Sequence, residues 1–395
     1  MTTIAGPEEE PLFQQIVAQF NQTVPQTMWR FDRVPGTWED LSSKYVAQIA
    51  AGSPNDAVRI AIIQKSSYVD RGYLSDLMPF FERDGLKFDD YLDGAFKDWQ
   101  IDGKLYGIPA GIYNMALYYN KDLFDAAGLP YPPTEWDTDA WTWNEFRAAA
   151  QALTAGSGAE KQYGMGTTWD LRWVIQFVWQ NNGDFVDANH SRATLSEPAA
   201  LEALQFVEAM VREDQAWATP AATGSDDIDE LFRGGRVGMY MDGMWQMPAM
   251  AAIEGFRWGV APLPRGKASF TGLYVDAWVM PTGVKDPEQS WQFLKYMTTA
   301  APQNLLVDNG ALGVPILKSV AEERSGDLFK PLSPEEQQVW LNASKYSHLF
   351  PYTRRWDELY DALLPAWDLW SIGEIDAIEM AAQMTAVIDP ILARE

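Results

Sequence analysis

Aromatic rings interleaved with carboxylates, amides and hydroxyls are the residues of this chain whose types and spacing could do chemistry. Its 395 residues include 18 Trp, 16 Tyr and 18 Phe. Indole is costly to leave fully wet, so this many imply that some line a binding surface rather than a core. Trp245 stands first, because it follows the Gly243 turn and not an apolar helix stripe. Tyr240 and Asp242 flank the end of the preceding extended segment and are its expected partners. Tyr274, Asp276 and Trp278 alternate through 271–279. Period two puts them on one face, opposite a core face of Val275, Ala277 and Val279. The remaining candidates each have a structural alternative. Gln64, Ser67 and Tyr68 follow a strand ending near Ile63, the ligand-facing position of an open α/β sheet, or they cap a helix. Trp38, beyond Pro35-Gly36, reaches the ligand or closes the edge of its lobe. Tyr113 and Asn114 meet ligand or hydrogen-bond a crossover. Asp170 is an expected helix N-cap that leaves Trp169 free, whereas Trp173, Phe177 and Trp179 read as a core stripe. Arg355 and Trp356 close the set, Arg355 being equally suited to a surface pairing with Asp357 or Glu358.

Most catalytic chemistries have no residues to start from. The chain has no Cys and only two His, His190 and His348, without ligand-spaced partners. Thiolate metal sites, a Cys nucleophile, the His-Glu-x-x-His zinc pattern and the calcium loop are therefore all missing. Gly156-Ser157-Gly158 lacks the Lys-Ser/Thr ending of a nucleotide loop, and no Gly-x-Ser-x-Gly elbow occurs. No metal or cofactor is expected. A glycoside hydrolase remains the rival enzyme reading, since it needs only two carboxyl groups about 5–9.5 Å apart. Among 55 acidic residues such pairs arise by chance, so their presence carries little weight.

The elements that must position these residues follow from composition and periodicity. Acidic residues outnumber Lys and Arg, 55 to 30, for a formal charge of −25. This leaves no basic footprint for nucleic acid. No apolar run reaches the roughly 18 residues that span a bilayer. Met1-Thr2-Thr3-Ile4-Ala5-Gly6 has neither the basic nor the apolar region of an export signal, so the signal is expected to be absent from this chain. Length predicts two lobes, because single cores stop growing near roughly 250–300 residues. Residues 2–5, 28–34 and 57–62 read as strands. A helix carrying Leu12, Phe13, Ile16, Val17 and Phe20 and another over 38–51 separate them, the order of a helix-covered parallel sheet. Extended segments recur at 112–119, 236–241 and 257–263. Helices are expected at 143–153, 170–181, 198–212, 287–300, 356–370 and 376–392. Gly128 stops a short helix, and Thr142 with Glu145 forms a capping box.

Several ordered segments together resemble one family. They are Gly103-Lys104-Leu105-Tyr106-Gly107-Ile108-Pro109; Tyr118-Tyr119-Asn120-Lys121-Asp122-Leu123-Phe124; Phe232-Arg233-Gly234-Gly235-Arg236-Val237-Gly238-Met239 with Asp242-Gly243-Met244-Trp245; Trp258-Gly259-Val260-Ala261-Pro262-Leu263-Pro264; and the helix from Pro287 to Met297. From about Glu10 to Ala393 the chain resembles the bacterial extracellular solute-binding proteins (family 1), the sugar-binding subunits of ABC importers. Asn55-Asp56-Ala57 departs from the Pro-Asp usual there. The resemblance implies an α/β, two-lobed periplasmic-binding-protein-like fold of type II, each lobe a sheet flanked by helices, the lobes joined by hinge strands. By analogy the first lobe holds 1–110 plus 271–315 and the second 111–270 plus 316–395. It further implies a mono- or oligosaccharide held between closing lobes, Trp245 in the place of a stacking aromatic, membrane permease partners, a monomer and an extracytoplasmic location. A polyol or glycerol-phosphate ester is the alternative ligand.

Overall fold

The computed structural model describes residues 1–4, 9–26, 28–92, 95–224, 227–309 and 313–394. It divides into two compact units, Met1–Tyr113 with Tyr274–Phe329, and Asn114–Leu273 with Lys330–Glu395. The first unit keeps 316–329, beyond the expected end at 315. Leu92 N–H donates to the Ile316 carbonyl, and Arg324 holds Asp308 and Asn304, so this segment is stitched to the first unit.

The first unit is built on a five-stranded sheet in the order Asp32–Val34, Thr2–Ile4, Val58–Ile60, Ala277–Val279, Ile108–Pro109. The first three are parallel, and Ala277–Val279 runs antiparallel to both of its neighbours. Helix Glu10–Thr23 buries all five residues of its expected face. Helix Trp38–Ala50 starts on a Thr37–Asp40 capping box. The stretch expected as one helix over 287–300 is two, Pro287–Met297 and Ala300–Asp308.

This topology overturns one expectation. Ala277–Val279 is a central strand whose residues are all buried. Trp278 is 1% exposed and packs edge-on against Phe13 (6.1 Å) and Phe293 (6.0 Å). The period-two argument took 271–279 as one strand, but Thr271–Tyr274 and Ala277–Val279 are separate strands in different sheets. It also missed that helices Glu10–Thr23 and Pro287–Met297 bring rings onto Trp278, which buries it as core.

The second unit carries a seven-stranded sheet in the order Ser347–Leu349, Thr271–Tyr274, Tyr113–Asn120, Val237–Gly243, Tyr163–Thr167, Trp217–Ala218, with Trp258–Ala261 also paired to Tyr113–Asn120. Val237–Gly243, Tyr163–Thr167 and Trp217–Ala218 are parallel. The helix Lys121–Ala127 ends on Gly128 at φ 66°, a left-handed position that favours glycine. Helix Trp143–Leu153 begins on the expected Thr142–Glu145 box, and helices Leu171–Gln180, Pro198–Arg212, Trp356–Ser371 and Ala377–Leu392 follow the apolar stripes of the sequence.

Candidate ligand-binding surfaces

In each unit, polar and aromatic side chains gather past the carboxyl ends of the parallel strands, where the backbone turns from strand to helix. This is the edge at which open α/β sheets bind ligands.

In the second unit the strands Tyr163–Thr167 and Val237–Gly243 end side by side. The first leads into helix Leu171–Gln180 and the second into the turn Met244–Gln246. Trp245, half-buried, meets the half-buried Trp173 edge-on, with ring centroids 6.4 Å apart. A Cβ on Gly243 would lie 2.2 Å from the Trp245 ring, so only glycine lets the indole fold back over the strand end. Beneath this ledge Asp242, 1% exposed, accepts from Tyr240 Oη (2.5 Å), Gly243 N (2.6 Å), Trp173 Nε1 (3.2 Å), Gln246 Nε2 (3.4 Å) and Thr168 Oγ1 (3.5 Å). Burial raises the Asp242 pKa against these donors. Its role is to hold Trp173 and the turn in place. Tyr240 is itself buried, stacked on Phe232 at 5.6 Å.

Beside the ledge, Asp170 caps helix Leu171–Gln180 as expected, accepting from Arg172 N. It also forms a two-point ion pair with the Arg172 guanidinium (2.8 and 2.9 Å) and accepts from Tyr360 Oη. Burial works against the Asp170 charge, but Arg172 and these hydrogen bonds hold its carboxyl below the usual range. The guanidinium lies 4.8 Å from the Tyr360 ring centroid and 5.6 Å from that of Trp173.

In the first unit, Arg59 is 7% exposed in the middle of strand Val58–Ile60. Its Nη2 donates to Asp276 Oδ2 (3.0 Å) and Tyr113 Oη (3.1 Å). The guanidinium lies 5.5 Å from the Trp38 ring centroid and 5.7 Å from that of Tyr113. Its Nε is buried without a hydrogen-bond partner among the described residues. Burial raises the Asp276 pKa, while Arg59 and the Ile62 backbone pull it down. Burial likewise pushes the Tyr113 hydroxyl up. Trp38, Tyr113 and Asp276 are therefore brought together, with Arg59 as the member missed in the sequence. A charged residue inside Ala57-Val58-Arg59-Ile60-Ala61 was the signal that could have found it.

Most of the other candidates make contacts within the protein. Gln64 Oε1 accepts from Ala61 N (2.9 Å) and its Nε2 donates to the Trp38 carbonyl (3.1 Å), the helix-capping alternative. Ser67 Oγ hydrogen-bonds the Gln64 carbonyl. Tyr68 is buried, stacked on Tyr45 at 4.9 Å with its hydroxyl on Ser42 Oγ. Asn114 Nδ2 ties strand to strand through Gly272 O and Ser347 Oγ. Trp169 is not released by the cap: it stacks on Trp370 (5.4 Å) and donates to Ser371 Oγ (2.7 Å). Trp356 is buried against Phe350 (4.8 Å), while Arg355 pairs on the surface with Glu358 (3.2 Å). Tyr274 is half-buried at the end of its strand. Of the stripe set aside as core, Phe177 and Trp179 are buried, but Trp173 belongs to the ledge.

Two strand-end surfaces of this kind, one per unit, agree with what comparison shows. Residues 15–331 match the family model described as bacterial extracellular solute-binding protein. The chain belongs to that family. As a bacterial extracellular solute-binding protein it is 23% identical over 301 residues to the arabinooligosaccharide-binding protein of Bacillus subtilis, covering 73% of this chain and 66% of that protein. Its fold matches an ABC substrate-binding protein of Listeria monocytogenes, solved with cycloalternan, at a TM-score of 0.89 and 20% identity over 99% and 97% of the two chains. It also matches UgpB of Mycobacterium tuberculosis, solved with glycerophosphocholine, at 0.86 and 20% identity over 100% and 98%. The type II fold of this solute-binding protein is thereby established, and its family is one of extracellular binding proteins. No helix among its described residues is long and apolar enough to cross a membrane.

Proposed function

We propose that this solute-binding protein captures a mono- or oligosaccharide outside the cytoplasmic membrane, as a monomer, and presents it unchanged to the permease of an ABC importer. The observation that carries this reading is the Trp173–Trp245 ledge. Two part-exposed indoles, fixed from below by a buried carboxylate, offer a rigid apolar platform for the CH face of a sugar ring. The oligosaccharide named for the Bacillus subtilis relative and the cycloalternan held by the Listeria monocytogenes protein support the same ligand class. Binding is favoured over hydrolysis by the state of the carboxylates. Asp242 and Asp170 each sit behind donors of the protein itself, where a general acid or nucleophile would have to face the glycosidic bond.

Calorimetry against a panel of neutral oligosaccharides tests the platform. Trp245→Ala and Trp173→Ala are each expected to weaken sugar binding by about tenfold or more, with the melting transition retained. Affinities unchanged in both variants would remove the ledge from the binding site.

A further inference from the structure

At each strand-end surface the local guanidinium is already compensated. Arg59 is bound to Asp276 in a pair whose side chains are 8% and 13% exposed, and Arg172 to Asp170 in a pair that is 16% and 13% exposed. Further carboxylates lie close by. Glu9, at the start of helix Glu10–Thr23, acts on Arg59, and Asp242 lies under the ledge next to Arg172 through Trp173. A carboxylate or phosphate brought to either surface would lose its hydration and find the cation already taken, with net negative charge around it. A hydroxyl-bearing neutral ligand meets no such cost. Each hydroxyl is both donor and acceptor, which suits a carboxylate already paired with a guanidinium.

We infer that the Arg59–Asp276 pair is a specificity gate that restricts the ligand to neutral, hydroxyl-rich molecules and rejects those carrying a carboxylate or phosphate. This rests on the capture reading above and decides between its two ligand alternatives. Asp276 is the residue that masks the charge. Replacing it by asparagine keeps the shape and removes the carboxylate paired with the buried Arg59, which destabilises the variant and strengthens its demand for an anion.

The test compares wild type and Asp276→Asn by calorimetry and thermal melting. The neutral probes are malto-, arabino- and xylo-oligosaccharides and polyols. The anionic probes are oligogalacturonate and glycerol 3-phosphate. Wild type is expected to bind a neutral probe, with an affinity that does not change between low and high salt, and to ignore the anionic probes. D276N is expected to lose about tenfold or more of that neutral affinity and to melt lower. Its melting temperature should rise with oligogalacturonate, which leaves wild type unaffected. Wild-type binding of an anionic probe as tight as any neutral one, or wild-type selectivity retained in D276N, would overturn the gate while leaving capture intact. Failure of every neutral probe and polyol to bind wild type would instead overturn the capture reading and the gate with it. Should D276N fail to fold, wild-type binding of an anionic probe as tight as any neutral one still overturns the gate.

Discussion

Asp242 has five donors around it and almost no contact with solvent, yet burial outweighs them and raises its pKa from the ordinary 3.8. Between the unfolded and folded values the native state therefore binds more protons than the unfolded chain. Its contribution to stability is present below the unfolded value and is lost as pH rises through the folded one. Asparagine removes that titration and adds a constant cost for imperfect hydrogen bonding. The melting temperature of Asp242→Asn minus that of wild type should accordingly become more positive from acid towards neutral pH. A difference that stays constant across this range would show that Asp242 does not titrate in the fold. At the same scale, Arg59 and Trp173 escaped the sequence for a common reason. What makes each functional is a partner far along the chain, Asp276 for Arg59 at 217 residues and Asp242 for Trp173 at 69. Composition and local spacing hold no trace of those pairings.

Helix Leu171–Gln180 is the element that presents the ledge, and Asp170 anchors it twice, as N-cap and as partner of Arg172. Asp170→Ala removes the cap and the carboxylate partner of a mostly buried guanidinium. The expected loss is about 3 kcal/mol or more, read as a shift in urea midpoint. A loss of only a few tenths would show that the pair is solvated and carries little. The cap was legible in the sequence, as were the Thr142–Glu145 box, the Gly128 stop and the buried stripe of helix Glu10–Thr23, because each is settled within one or two turns of chain. Trp278 was misread because the alternation runs unbroken through 271–279, whereas the chain passes there from one sheet to the other and helices placed by the whole topology bury Trp278. The single helix expected over 287–300 failed for a related reason. Its apolar stripe runs on past Met297, but the backbone breaks there before Ala300–Asp308.

At the scale of the whole molecule, each unit carries the same arrangement among its described residues: a strand-end surface, aromatic rings, and a guanidinium neutralised by an aspartate. The two-lobed α/β class was readable from length and from the alternation of strands and helices. The allocation of 316–329 was not, since it depends on hydrogen bonds to Leu92 and ion pairs to Asp308. On the proposed reading, such a surface holds a neutral sugar by stacking and hydroxyl contacts and releases it uncleaved. Native mass spectrometry of the full chain with a neutral oligosaccharide that it binds, followed by release after long incubation, tests this most directly. The account predicts one intact oligosaccharide per chain, released with its mass unchanged. Steady accumulation of shorter sugars, growing with protein concentration, would contradict it.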